Sequence, residues 1–332
     1  MPTISRKGTM SVYEHLEEYF GLPVATFNED TGAEEEDDDG AGSGPVAGAD
    51  LPPAGEVAWF VGTSFDEEGF GDVFARFLKT VDTTEITALI IGYWGASYDD
   101  GVADPVALLT EAAASFPKLR ALFLGDITGE EAEISWIEHS DITPLFAAFP
   151  GLERFDVRGS QGLVLEPVGS ERLKVLRFES GGLPATIVRA VAASDLPNLE
   201  HLDLWLGEDG YGGDTTVADL APLLSGERLP ALRHLGLEDS EIEDEIAAAV
   251  AGAPVVARLE SLSLAMGILT DQGGEALLSG QPLTHLRRLD LHHHFLSDAM
   301  VERVRTALPG VEVDLDHQET NDTDWHYIAV SE

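Results

Sequence analysis

The 332-residue sequence contains no cysteine. That absence removes disulfides, thiolate metal ligands and a cysteine nucleophile together, and it is compatible with a reducing, cytoplasmic setting. Lysine is scarce as well: Lys7, Lys79, Lys118 and Lys174 are the four, and 19 basic residues in all face 61 acidic ones. The resulting formal net charge of −42 repels phosphate backbones and anionic lipid, so nucleic-acid and membrane partners are not expected. The same field speeds encounter with a basic protein. No apolar run approaches a bilayer-spanning length, and Arg6 and Lys7 are not followed by the apolar stretch of a secretory signal. Nucleophile-elbow, zinc-protease, Walker and dinucleotide signatures are all missing. A non-catalytic chain that needs no cofactor is therefore expected.

What the sequence does contain is a pattern: apolar, two residues, apolar, one residue, apolar. It starts at Ile86, Leu119, Leu152, Leu173, Leu199, Leu232, Leu259, Leu286 and Leu308, at steps of 21 to 33 residues. Successive side chains alternate across a strand, so the second and third apolar residues of each copy share one face. Between copies run helix-like stretches such as 104–116, 184–194, 243–252 and 298–308. In the last of these Met300, Val301, Val304 and Leu308 recur at three- and four-residue steps. Asp104 before Pro105, and Ser297 with Asp298, mark helix starts. Strand and helix in alternation predict an α/β solenoid: a curved parallel sheet on the concave side, helices on the convex side, and a core completed only by stacking neighbours.

The stretches 259–280 (LESLSLAMGILTDQGGEALLSG) and 286–315 (LRRLDLHHHFLSDAMVERVRTALPGVEVDL) resemble leucine-rich repeats of the ribonuclease-inhibitor-like kind. The resemblance spans residues 85–315. It departs at the turn position three residues beyond the last strand leucine, where Ser240, Gly267 and His294 replace the usual Asn or Cys. HLEEYFGLPV (15–24) and WHYIAVSE (325–332) are similar to segments of a bacterial leucine-rich-repeat family of unknown function, which implies no activity.

Around the repeat domain (85–315) the chain divides further. Residues 1–27 read as an N-terminal arm with a short helix, Val12, Leu16, Tyr19 and Phe20 on one side. Residues 28–55 read as an acidic, Gly- and Pro-rich disordered linker. Within it EEEDDDG (34–40) imitates a calcium loop but lacks the closing glutamate, Val46 standing there. Residues 56–84 form an N-terminal capping unit, and 316–332 a C-terminal cap with a strand at 325–330.

Three inserts lengthen the repeats after Ile86, Leu119 and Leu199. They carry Tyr93, Trp94 and Tyr98, then Trp136, then Trp205 and Tyr211, amid Glu138, Asp209 and Asp214. Aromatic anchors among acids on one rim suit a basic surface. The outward strand positions supply a polar face: Arg154, Asp156, Arg158, Arg177, Glu179, Asp203, Glu238, Asp290 and His292. The expected function is docking of a protein partner, basic in character, by a chain that is a monomer on its own. A metal-dependent hydrolase built on His201, His234 and His292 with nearby carboxylates is the alternative. Alternation separates His292, His293 and His294, so these three do not form a metal site together.

Overall fold

This computed structural model describes residues 12–27, 51–64, 68–95, 103–320 and 326–332. The acidic tract 28–50, with its calcium-loop look-alike, lies outside the described residues, as do Tyr98 and Trp325. Twelve strands form one open sheet whose spatial order follows the chain. They are β1 (Glu18–Tyr19), β2 (Leu22–Phe27), β3 (Ala58–Val61), β4 (Ala88–Ile91), β5 (Ala121–Leu124), β6 (Arg154–Arg158), β7 (Val175–Glu179), β8 (His201–Gly207), β9 (His234–Ser240), β10 (Ser261–Ser263), β11 (Arg288–Asp290) and β12 (Glu312–Asp314). Only β1 and β2 are antiparallel; every later pair is parallel. Among the described residues there are eight α-helices: α1 (Phe70–Thr80), α2 (Pro105–Glu111), α3 (Thr143–Ala148), α4 (Ala185–Ala193), α5 (Val217–Leu224), α6 (Glu243–Val250), α7 (Asp271–Ser279) and α8 (Asp298–Ala307). None is long and apolar enough to cross a membrane.

The apolar triplets decide the register. Leu89, Leu122, Phe155, Leu176, Leu202, Leu235, Leu262 and Leu289 are direct partners from strand to strand. All are buried, and they join the inward residues of the helices in one continuous apolar layer. The helix starts behave as their sequence suggests: the Asp104 carboxylate accepts the Val106 N–H (2.9 Å), and the Ser297 hydroxyl accepts that of Met300 (3.2 Å). The result is a repeat-like α/β fold.

Three expectations need correction. The last copy does not start at Leu308, which closes α8 as its C-cap. Val311 takes the leading position, its N–H donating to Leu308 O as that of Leu286 donates to Leu283 O. Val313 then pairs with Leu289, and Leu315 is buried below it. Second, the arm 12–27 holds two strands where a helix was expected. Phe20 (φ 54°) and Gly21 (φ 75°) both adopt the left-handed region, which ends any helix there and makes the two-residue hairpin loop between Tyr19 and Leu22. Third, residues 326–330 form no strand among the described residues and do not cover the far edge of the sheet. They run back along the C-terminal ends of the strands, where the turns leave polar groups to be bonded.

Leu235 lies in the middle of the stack and is fully buried. Leu235→Ala is expected to lower unfolding free energy by about 2–5 kcal/mol, measured by urea denaturation. A loss below ~1 kcal/mol would mean that neighbouring repeats collapse into the gap.

Candidate functional site

Alternation that sends leucines to one face sends their neighbours to the other. On β3–β5 these neighbours are Ala58, Phe60, Ala88, Ile90, Ala121 and Phe123, an apolar patch that Tyr19, Leu16, Leu22 and Val24 cover. The Leu16 N–H donates to Asp126 Oδ2 (3.2 Å), and the Tyr19 hydroxyl to Asp156 Oδ2 (2.8 Å). His15 sits between Asp126 (3.6 Å) and Glu131 (3.4 Å). Burial opposes its charge, but hydrogen bonds to the two carboxylates and their charges prevail and raise its pKa to about 10. The N-terminal segment thus takes the first third of this face out of water.

From β6 onward charged side chains take many of these positions, and they bond one another. Arg154 grips Asp156 with Nε (2.7 Å) and Nη2 (3.0 Å). Arg177 reaches Asp156 Oδ1 (3.4 Å), Glu179 Oε1 (2.8 Å) and Asp203 Oδ2 (3.0 Å). Arg158 is fully buried between Glu179 Oε2 (2.9 Å) and Asp126 Oδ1 (3.4 Å), and it donates to Ile127 O (3.0 Å) as well. Trp205 Nε1 donates to Glu238 Oε2 (2.8 Å). Burial disfavours the Asp156 charge, yet Arg154 and Arg177 outweigh it and hold the pKa below the usual carboxylate range. Asp126, Asp156, Glu179 and Asp203 are bonded in this way to the guanidiniums of Arg158 and Arg177.

Histidines occupy the next stretch. His201 and His234 are register partners. Their rings stack at 4.0 Å and 14°. Each Nε2 lies 2.7 Å from one oxygen of Asp203. His234 Nδ1 contacts Ser261 Oγ at 2.6 Å. Burial pushes His201 down to about 4 despite Asp203. Farther along, Arg288 Nη2 bridges Asp290 (3.0 Å) and Asp314 (2.9 Å), while His292 Nδ1 contacts Asp290 Oδ1 (2.7 Å). Burial works against the Asp290 charge, but the His292 hydrogen bond and charge, with Arg288, take its pKa down to about 2. His293 and His294 turn away to backbone oxygens of Tyr327 and Leu315. Two groups among the described residues could hold a metal: His201–Asp203–His234 and Asp290–His292–Asp314.

The aromatic rim differs from the sequence expectation. Tyr93, Trp94 and Trp205 are at most 6% exposed, because these rings fold back over the ends of the apolar layer. Trp136, at 63%, is exposed as expected. Tyr211 is partly exposed and bonds Glu332 through its hydroxyl. Tyr327, which sequence reasoning placed in the C-terminal cap, is an exposed rim aromatic too, donating to Glu319 Oε2 (2.7 Å).

The same edge carries a repeated corner. Asp239, Met266, His293 and His317 each lie four residues beyond a central core residue, and all take φ between 53° and 69°. The C-terminal segment binds these corners. Ala329 N–H donates to Met266 O (2.8 Å), Val330 N–H to Asp239 Oδ1 (3.0 Å), and Tyr327 O meets His293 Nε2 (3.1 Å). Ser331 O accepts from the Ser135 hydroxyl, far back along the sheet. Nothing in the sequence pattern signals this path, because it is written in turn conformation. Burial drives Asp239 and Glu243, beneath the segment, well above the normal carboxylate pKa.

Two outcomes follow. Arg158→Met is expected to cost about 3–5 kcal/mol in urea unfolding, since it leaves Glu179 and Asp126 buried without their shared cation; a neutral result would show the pair to be dispensable. The His15 contribution is present in full below its unfolded pKa of 6.5 and disappears as pH rises through about 10. Protection of segment 12–27 from hydrogen exchange, corrected for intrinsic rates, is expected to fall across that window and to stay flat in His15→Ala.

No profile of a known protein family matches the chain, and no curated protein does. Among solved structures it is similar to the crystal structure of a protein from Bacteroides fragilis, a structural-genomics target. The two are 30% identical with a TM-score of 0.75, over 83% of this chain and 78% of the other.

Proposed function

The chain belongs to the family of that Bacteroides fragilis protein, and from this premise we propose that it is a leucine-rich-repeat solenoid of the ribonuclease-inhibitor-like kind that acts as a cytoplasmic, non-catalytic docking module for a basic protein. Support for the repeat reading is the strand order, which never departs from the chain, and the leucine positions that stay in register from β4 to β11. Each apolar unit is completed by its neighbours, as stacked repeats require.

The observation that carries the docking reading is the row of half-buried polar side chains beyond the N-terminal segment, Arg154, Arg177, His201, His234 and Arg288; Asp156, Glu179, Asp203, Glu238, Asp290 and His292 beside them are buried and, against the sequence expectation, not open to a partner. The row ends in Glu312, Asp314 and Asp316, and Trp136 stands exposed on the adjoining edge. With a net charge of −42, long-range attraction steers a cationic protein to this side, and the exposed rings give it something to pack on. Nucleic acid and anionic membrane are disfavoured by the same charge.

The test uses a partner captured on the immobilised full chain, then purified. Trp136→Ala and Glu312→Arg are expected to weaken it at least tenfold each, with unchanged circular dichroism. Wild-type affinity is expected to fall with added salt. Equal affinity for all three proteins and no salt dependence would remove the proposal. Trp94 and Trp205 are unsuitable probes because their rings are in the core.

A further inference from the structure

We infer that His201, Asp203 and His234 form a binding site for one divalent transition-metal ion, of the zinc class, on the open face of β8 and β9. This stands apart from the docking proposal and from any claim of catalysis. Three features carry it. The first is convergence. His201 and Asp203 sit two residues apart on one strand and share a face. His234 is the register partner of His201 on the next strand. Both Nε2 atoms aim at the same carboxylate, 2.7 Å from Oδ2 and Oδ1 respectively. One ligand atom from each residue lies within 4.8 Å of the other two. Ligand atoms around a tetrahedral zinc, with bonds of about 2.0–2.2 Å, stand roughly 3.4 Å apart. Small side-chain rotations would therefore open the two hydrogen bonds enough to admit an ion.

The second feature is support from the next shell. Ser261 Oγ lies 2.6 Å from His234 Nδ1. With Nε2 donating to Asp203, Nδ1 accepts from the Ser261 hydroxyl; when an ion replaces the Nε2 proton, the hydroxyl can turn and accept the proton moved to Nδ1, the usual outer-shell arrangement for a metal-binding histidine. Arg177 Nε holds Asp203 Oδ2 at 3.0 Å and orients the carboxylate, with Oδ1 toward His234. Gly236 is the register partner of Asp203, and a Cβ there would run into Asp203 Oδ1. A side chain at 236 would destroy the site.

The third feature is access and charge. Both imidazoles are partly exposed, with side-chain accessibilities of 15% and 13%, so an ion reaches them from solvent and keeps an outward coordination position. The net charge of −42 favours a cation over an anion at this opening. The alternative group, Asp290–His292–Asp314, has a single imidazole, and Arg288 already bridges its two carboxylates. Two imidazoles with one carboxylate favour zinc, cobalt or nickel over the all-oxygen preference of calcium and magnesium.

The experiment uses tag-free, chelator-treated full chain titrated with zinc chloride in a calorimeter, and with cobalt followed by visible absorption. One zinc per chain with micromolar or tighter affinity is expected, and a cobalt spectrum of tetrahedral intensity. His201→Asn and His234→Gln are expected to weaken zinc at least a hundredfold, and Ser261→Ala about tenfold. Zinc is expected to shift the ring signals of His201 and His234 in the wild-type NMR spectrum, a readout that needs no variant to fold. The inference is overturned if zinc binds equally well to a chain carrying both His201→Asn and His234→Gln, which would place it on surface acids. It is equally overturned if zinc moves the His292 signals and not those of His201 and His234, or if no stoichiometric binding occurs.

Discussion

Strand register is the constraint on which the rest of the molecule depends. A parallel strand shows leucine to one side only at every second residue. Leu202 lies beside Leu235, and Leu262 beside Leu289, because the pairing runs without slippage. A slip of one residue would carry His201 and Asp203 into the apolar layer and expose Leu202 and Leu204. The leucines therefore fix more than the core: they fix where each charged residue of the opposite face meets its neighbour.

That neighbour relation explains why so many charges can be buried. Across β6, β7 and β8 the middle row reads Asp156, Arg177, Asp203, alternating in sign at each register step. Opposite charges facing one another across strands are favourable; Arg177 serves three carboxylates and Arg158 two. At Gly236 the alternation stops. The space left by the missing side chain lets Asp203 lean toward β9, where it meets both imidazoles. One glycine thus converts a row of ion pairs into a cluster of different chemistry.

How much of this could be read beforehand depends on period. The triplets Leu199–Leu202–Leu204 and Leu259–Leu262–Leu264 recur with constant offsets, so strands, buried face and outward residues follow from counting. At the ninth copy Leu308 satisfies the spacing while serving as the C-cap of α8; the triplet that enters the sheet is Val311, Val313 and Leu315, with a residue fewer. At residues 12–20, helical spacing of Val12, Leu16 and Tyr19 competed with the left-handed pair Phe20–Gly21, and the turn prevailed. Aromatic rings in Gly-rich inserts carry no period at all. Whether Trp94 turns inward and Trp136 outward depends on the loop backbone, which spacing does not encode. The convergence of His201, His234 and Asp203 was half legible: alternation places all three on one face, but only the register makes the two histidines neighbours.

The two ends of the described chain narrow what the sheet can offer. The N-terminal segment seals Phe60, Ile90 and Phe123, an apolar patch that would otherwise invite association. The C-terminal segment ties the corners at Asp239, Met266 and His293, whose left-handed backbones are uncommon for residues other than glycine. Both segments bond across many strands, Val330 to Asp239 and Tyr19 to Asp156, so both brace the sheet against bending. What remains for a ligand to meet is the half-buried His201, His234, Ser261 and Arg288, the exposed Glu312 and Asp316 on and beyond β12, and Trp136 on the edge. Because the register holds those strands rigidly, a ligand there meets groups already in place and loses less entropy on binding than one that must order a loop. The same leucine stacking that buries the core thus sets the polar groups of the opposite face in fixed rows.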